Sequence, residues 1–480
     1  MSPISYRLLR NGVLNLPRSS PASKVLTEDL LWKDAQRYHA LFNQAGFHNH
    51  LSHHILAAYD LGASPGLLQK IYDDEAKTQR SIIIEEKDKE IQITEENWTQ
   101  YLGNQHAYNG FVKFFDDRVG RFGVVKTLEE FIFSSEVNEK GKTMLTRLMS
   151  GAVHPFILVG YGLEFGHDGL VSTGLASAAI HQPTASELFE PDGDPSSSDL
   201  SVLEILELVY KSPVLKPVMP YDPNALVSAR IKAALADGRP EELRAMCSKF
   251  HVSEKLGEAE MLRKTEELVW VAILLLFSTG KEGKKTRLDF FLMHLVTSSI
   301  FLQSYVRVLP NPSHKAKIIK AFLPAMLLYT IARGRPIIKP HLLMSATDKP
   351  RPPSASGSPY SSKGTGLGSP VNDDEYNPWP ALIETSLYAS DSHILKTMRT
   401  LVMAARAYGD TPAGSVIGAK KKGDASTETI PGSSKLDGSI FVRAAGMLMD
   451  YMGWTTYGQR EREDWDRSAL GWDDAWNNED

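Results

Sequence analysis

Four of the 14 histidines in this sequence crowd into one string, Phe47-His48-Asn49-His50-Leu51-Ser52-His53-His54. Imidazole exchanges a proton near neutral pH and is the commonest side-chain ligand for a metal ion, so the string points to acid–base or metal chemistry. On a helix, His50 lies one turn from both His53 and His54, and either pair can meet one ion. The competing reading is a capped helix start with satisfied or exposed histidines. His154 precedes Pro155, which suits the first position of a helix and directs the residue before it away from the helical region. His154 is then either a ligand aimed from a helix mouth or a plain capping residue.

His294 lies in a segment, Leu288 to Leu302, that is apolar on nearly every side and therefore belongs inside the protein. A buried imidazole must find a partner, and a metal ion or a hydrogen-bond acceptor serves equally. The string Asp391-Ser392-His393-Ile394-Leu395-Lys396 opens another helix with His393 and Lys396 on one face. Spacing alone favours a solvated His/Lys face there.

The elements that carry these residues read at a helical period. Thr27 with Glu28 and Asp29 opens one helix. Asn49 caps a second, from His50 to about Leu61, and Gly62 stops it. Further helices are expected around Trp98, Met144 and Phe156, then over Ser201 to Tyr210, Ala225 to Ala236, Leu256 to Phe277, Leu288 to Tyr305 and Lys315 to Ala332. Two more are expected over His393 to Tyr408 and Phe441 to Trp454. The best strand signal is Ser81 to Thr94, where isoleucines flank a charged middle and suggest a small hairpin. The expected fold class is mainly α, a single large helical domain over 27–459 with one minor hairpin.

Two stretches, 345–380 and 409–439, read as long disordered surface loops; half of the first is Ser, Pro or Gly. Residues 1–26 read as a floppy arm, with Arg7, Arg10, Arg18 and Lys24 ahead of the first acid and prolines that spoil an amphipathic targeting helix. Residues 460–480 read as an acidic, partly ordered tail carrying Trp465, Trp472 and Trp476, with docking on the body as the second option.

Composition removes several classes of function. The 480 residues are 42% hydrophobic and 23% charged, with 53 basic against 58 acidic side chains and a net charge of -5, which offers nothing to a nucleic acid. The longest apolar run, Leu268 to Phe277, is about half of the ~20 residues that a membrane-spanning helix needs. Cys247 is the only cysteine, so no internal disulfide or cysteine-rich metal site is possible, and a reducing, cytoplasmic location is expected. Gly160-Tyr161-Gly162 and Gly364-Thr365-Gly366-Leu367-Gly368 do not follow strands, and no P-loop or nucleophile elbow exists, so a tightly bound flavin on a dinucleotide fold is disfavoured.

Five ordered blocks together resemble the questin oxidase-like family of fungal aromatic polyketide pathways. They are Asn49-His50 with Leu61-Gly62-Ala63, Asn97-Trp98 with Leu102-Gly103, His154-Pro155 with Gly160 to Phe165, His294-Leu-Val-Thr297, and Asp391-Ser-His393-Ile-Leu-Lys396. The resemblance implies an oxygenase, mono- or dioxygenase, that opens the ring system of an anthraquinone or anthrone. It also implies a non-heme Fe(II) centre with His50, His154, His294 and His393 as ligands and Lys396 as a carboxylated lysine. His48, His53 and His54 are rivals to His50. The expected partners are O2 and a small aromatic polyketide lying among aromatics such as Phe47, Tyr161 and Phe165. Two alternatives stay open: a Baeyer–Villiger oxidation with NADPH as co-substrate, and a non-catalytic polyketide-binding protein.

Overall fold

Helices without a polar side can only be central, and they set the architecture of the computed structural model, which describes residues 4–139, 141–189, 199–353 and 373–477. His154–Phe165 and Asp168–Ile180 pack against each other as a buried antiparallel pair, with Tyr108–Phe122 laid on the second. The pair approaches closely because its contact positions are small. A Cβ at Gly162 would stand 2.6 Å from Val171 Cγ2, and one at Gly174 would stand 2.6 Å from Val159 Cγ2. Phe290–Ser299, Glu258–Phe277 and Ser392–Tyr408 form the other half of the interior, and Leu51–Asp60 bridges the halves by packing on Ser392–Tyr408 and His154–Phe165. One continuous apolar core runs through all of them.

The expected mainly α class holds, but the hairpin is elsewhere. Ser81–Thr94 does not pair with itself. Glu86–Glu90 forms a 3-10 turn in which the Glu85 backbone N–H donates to Asp88 at 2.9 Å, and His106 Nδ1 sits 2.8 Å from the same carboxylate. Ile91 and Ile93 then lie on Gly110, whose missing side chain leaves them room. Docking on a helix buries these isoleucines better than pairing two short strands would. The sheet among the described residues is Lys420–Lys421 with Asp424–Glu428, inside the stretch 409–439 that reads as disordered. That stretch is ordered, with Val416, Ala419, Ile430 and Leu436 buried. Of the other stretch, 345–380, residues 354–372 lie outside the described residues, and a helix already begins at Trp379.

Both chain ends depart from expectation in the same direction. The arm is not floppy: Leu8 and Leu14 are buried, Arg10 N–H donates to Phe165 O at 2.9 Å, and Val13 N–H donates to Glu164 at 2.6 Å. The first helix starts at Ala22 rather than Thr27. In the tail, Trp465 and Trp476 are buried, and Arg287 reaches Asp466 at 2.6 Å. Among the described residues no helix is long and apolar enough to cross a membrane.

Candidate metal centre

The four histidines come from four separate helices, three of which place the residue at or near the helix start. His50 holds the N-cap position of Leu51–Asp60, and the Asn49 side chain one residue earlier accepts the Leu51 N–H at 2.8 Å. His154 is the first residue of its helix and follows three left-handed residues, Gly151, Ala152 and Val153, with φ of 58, 51 and 59°. A β-branched residue in that region is strained, and such strain survives only where the surroundings enforce it. Tyr329 Oη accepts the Ala152 N–H at 3.0 Å, and Gly151 cannot carry a side chain because a Cβ would stand 2.4 Å from His181 Nε2. His393 is the second residue of Ser392–Tyr408, whereas His294 sits mid-helix, the fifth residue of Phe290–Ser299.

Their ring nitrogens converge, with one ligand atom of each of the four within 4.8 Å of the others. His50 Nε2 stands 2.9 Å from His154 Nε2, near enough to share a proton or a cation. The outward-facing nitrogens are tied down. His154 Nδ1 donates to Gly151 O at 2.6 Å, His294 Nδ1 to Phe290 O at 2.7 Å, and His393 Nδ1 to the Asp391 carboxylate at 2.7 Å. A proton on Nδ1 leaves the Nε2 lone pair free, and this second contact is how metal-ligating histidines are oriented. His294 Nε2 and His393 Nε2 are buried without a hydrogen-bond partner among the described residues, an arrangement that costs free energy unless a ligand supplies the missing contact.

Electrostatics keeps the rings neutral. Burial first, then the neighbouring histidines and Lys396, lowers the pKa of His50, His154 and His294 well below the ordinary value, and burial and Lys396 lower that of His393 despite Asp391. Lys396 is only 2% exposed, and its Nζ also has no hydrogen-bond partner among the described residues. Burial drives its pKa from 10.5 down to about 7, against the pull of Asp391 and Glu75. The solvated His/Lys face expected from spacing is therefore wrong: Leu51–Asp60, Phe290–Ser299 and Ile440–Met452 cover this helix. Burial acts to raise the pKa of Asp391, but His393 and its hydrogen bonds outweigh it and hold the carboxyl well below its usual range.

The rival histidines face elsewhere. His54 Nδ1 pairs with Glu75 at 2.9 Å. His48 Nε2 lies 2.7 Å from His181 Nε2 while its ring stacks on His154 at 3.7 Å. His53 stands parallel to His154 at 6.2 Å, outside the group of four. Tyr161 and Phe165 do not line an aromatic slot; they pack around Arg399, which pairs with Asp60 at 2.8 Å and with Glu164. Phe47 is 43% exposed. Sequence reasoning missed His181, the strained turn before His154, and Trp465, whose Nε1–H donates to Asp391 at 2.9 Å. Nothing local in the sequence marks these three, because His181 and Trp465 act on residues remote in the chain and the turn is held by remote Tyr329.

A narrow cavity of about 30 Å³ adjoins the cluster at His154, with His48, His53, Tyr6, His167, Asp34 and Tyr108 also in its wall. Burial, only partly offset by the Asn49 hydrogen bond, raises the Asp34 pKa to about 7.

The questin oxidase-like family model matches residues 47–401, a span that includes all five candidate residues. The chain belongs to that family. Among its relatives, the oxidoreductase AflY of Aspergillus parasiticus is 30% identical over 290 residues, 58% of this chain and 56% of that protein. The questin oxidase of Aspergillus fumigatus is 28% identical over 319 residues, 64% of this chain and 69% of its own length. The Baeyer-Villiger oxidase mdpL of Emericella nidulans is 29% identical over 303 residues, 60% and 65% of the two chains. The chain thus spans less than two thirds of the length of several of these relatives, and the arm and tail fall outside the family match.

Proposed function

We propose that this protein is an oxygenase that opens the ring system of an anthraquinone- or anthrone-type polyketide with O2 at a non-heme iron centre. His50, His154, His294 and His393 would hold the iron, and Lys396 would add an anionic ligand as its carbamate. The observation that carries this reading is the set of converging Nε2 atoms whose opposite nitrogens, in His154, His294 and His393, are each committed to an acceptor. Imidazole donors suit iron, and a low-pKa amine that is neutral near pH 7 is the form that adds carbon dioxide. Bound iron would supply the one-electron chemistry by which triplet oxygen reacts with a closed-shell aromatic. The names of the relatives support the substrate class and an oxidative reaction.

The chain's own groups would do the rest. Once widened, the cavity beside His154 would bring a hydroxylated aromatic within reach, and Asp34 and Tyr108 in its wall are suited to accept or donate a phenolic hydrogen bond. A tricyclic quinone needs several times the volume present, so entry requires one wall to move. Tyr6, in the arm ahead of the first helix, is one of the wall residues outside any helix.

A Baeyer–Villiger oxidation remains the second reading, favoured by the names of several relatives. The two differ in stoichiometry. A dioxygenase leaves both oxygen atoms in the product and needs no reductant, whereas a Baeyer–Villiger monooxygenase consumes one NADPH and releases one water. Oxygen uptake with a panel of hydroxyanthraquinones, with and without NADPH, separates them. Uptake without NADPH supports the proposal; uptake that requires one NADPH per O2 favours the second reading; binding without uptake by the iron-loaded protein overturns both.

A further inference from the structure

The tail beyond residue 459 lies outside the family match, yet it touches the acceptors that orient two of the four histidines. Trp465 is 3% exposed, and its indole N–H donates to Asp391 Oδ2 at 2.9 Å. The other oxygen of that carboxylate, Oδ1, accepts from His393 Nδ1 at 2.7 Å and from the His393 backbone N–H at 2.9 Å. The next residue, Asp466, exchanges backbone hydrogen bonds with the start of the His294 helix. Phe290 N–H donates to Asp466 O at 2.8 Å, and Asp466 N–H donates to Leu288 O at 3.0 Å. Phe290 is the residue whose carbonyl accepts from His294 Nδ1. The Arg467 guanidinium then covers the Phe290 ring at 4.5 Å, and that ring stands edge-on to His294 at 4.8 Å and His393 at 5.3 Å. Arg287 anchors the segment through Asp466 at 2.6 Å and Ser468 at 3.0 Å.

We propose that Trp465 to Ser468 form a positioning strap for the histidine cluster, fixing the His393 ring through Asp391 and the His294 helix start through Phe290, so that metal affinity depends on a segment outside the family core. The physical reason is rotational. A carboxylate bonded to one histidine through a single oxygen swings about its own Cβ–Cγ bond; a donor on the second oxygen locks its plane and with it the direction of His393 Nε2. Losing the partner of a metal-ligating histidine typically costs about 10- to 100-fold in affinity, and Trp465 acts one step further out, on that partner, so its loss falls at or below the low end of that range. This inference rests on the metal reading above for its consequence, but not for the geometry.

The test uses the full chain and Trp465→Phe, which keeps an aromatic ring and removes the N–H. Two quantities are measured. In metal-free protein, nitrogen-15 NMR of labelled histidine follows the His393 Nδ1 proton, assigned with a His393→Gln variant. In the second, Co(II) affinity is measured by competition with a chelator. The strap predicts a slowly exchanging His393 ring proton in the parent that broadens or vanishes in the variant, and a drop of several-fold, up to about 10-fold, in Co(II) affinity. A purely structural tryptophan would lower the melting temperature and leave both quantities unchanged; that result overturns the proposal. If the parent takes up no metal while the variant still loses its ring proton, the metal reading fails and the strap stands. Should Trp465→Phe not fold, the exposed Arg467→Ala carries the same test, and unchanged Co(II) affinity there, or an unchanged His294 ring-proton signal if neither protein takes up metal, overturns the proposal.

Discussion

Lys396→Met tests whether the buried amine is a strained component of the site or an ordinary core residue. In the unfolded chain a lysine keeps its proton up to about pH 10.4. In the folded protein burial brings the pKa of Lys396 from 10.5 down to about 7. Between those values the unfolded chain binds more protons than the folded one, so stability rises with pH across that window, and the full penalty is present below pH 7. At about 1.36 kcal/mol per pH unit, a fall from 10.5 to about 7 costs roughly 4–5 kcal/mol at pH 6. Methionine fills nearly the same space without a charge and leaves no polar atom unpaired. Urea denaturation of metal-free parent and variant, in carbonate-free buffer at pH 6, 8 and 10, isolates the effect. The variant should be more stable by about 2–4 kcal/mol at pH 6, allowing for local relaxation, with the difference shrinking toward zero near pH 10. Equal stabilities with equal pH slopes would refute the reasoning, because Lys396 would then have neither a buried charge nor a reason to be replaced by a neutral ligand.

Three further outcomes follow from the packing. Arg399→Met leaves Asp60 and Glu164 buried without their cation, and should cost about 3–5 kcal/mol in urea denaturation. Leu14→Ala should cost about 2–4 kcal/mol in the same assay, because Leu14 is 4% exposed; a floppy arm would show a change within about 0.5 kcal/mol. Gly151→Ala drives a Cβ to 2.4 Å from His181 Nε2, so it should lower the melting temperature and weaken Co(II) binding together; an unchanged affinity would show that the strained turn does not position His154.

The sequence was most readable where a residue's own neighbours determine its setting. Leu288 to Leu302 is apolar all round, so burial of His294 follows from composition, and the His-Pro pair places His154 at a helix start. His393 and Lys396 misled for the opposite reason. Their helix has a polar stripe that looks solvent-facing, and only the packing of three distant helices turns that stripe inward. The isoleucines of Ser81 to Thr94 carry a strand pattern, but Gly110, remote in the chain, gives them a helix to lie on. The arm and tail were read by composition as loose. They are held by sets of long-range contacts, Val13 to Glu164 and Trp465 to Asp391 among them, which leave no local signature. The choice of His50 over His48, His53 and His54 likewise depended on direction rather than spacing, and periodicity alone does not decide it.

The central claim, a four-histidine iron centre, is tested most directly by elemental analysis. The full chain and its His294→Ala variant are loaded anaerobically with Fe(II) and desalted before measurement. The account predicts close to one iron per chain in the parent and a large loss in the variant. No retained iron in either protein, or equal iron in both, would contradict it.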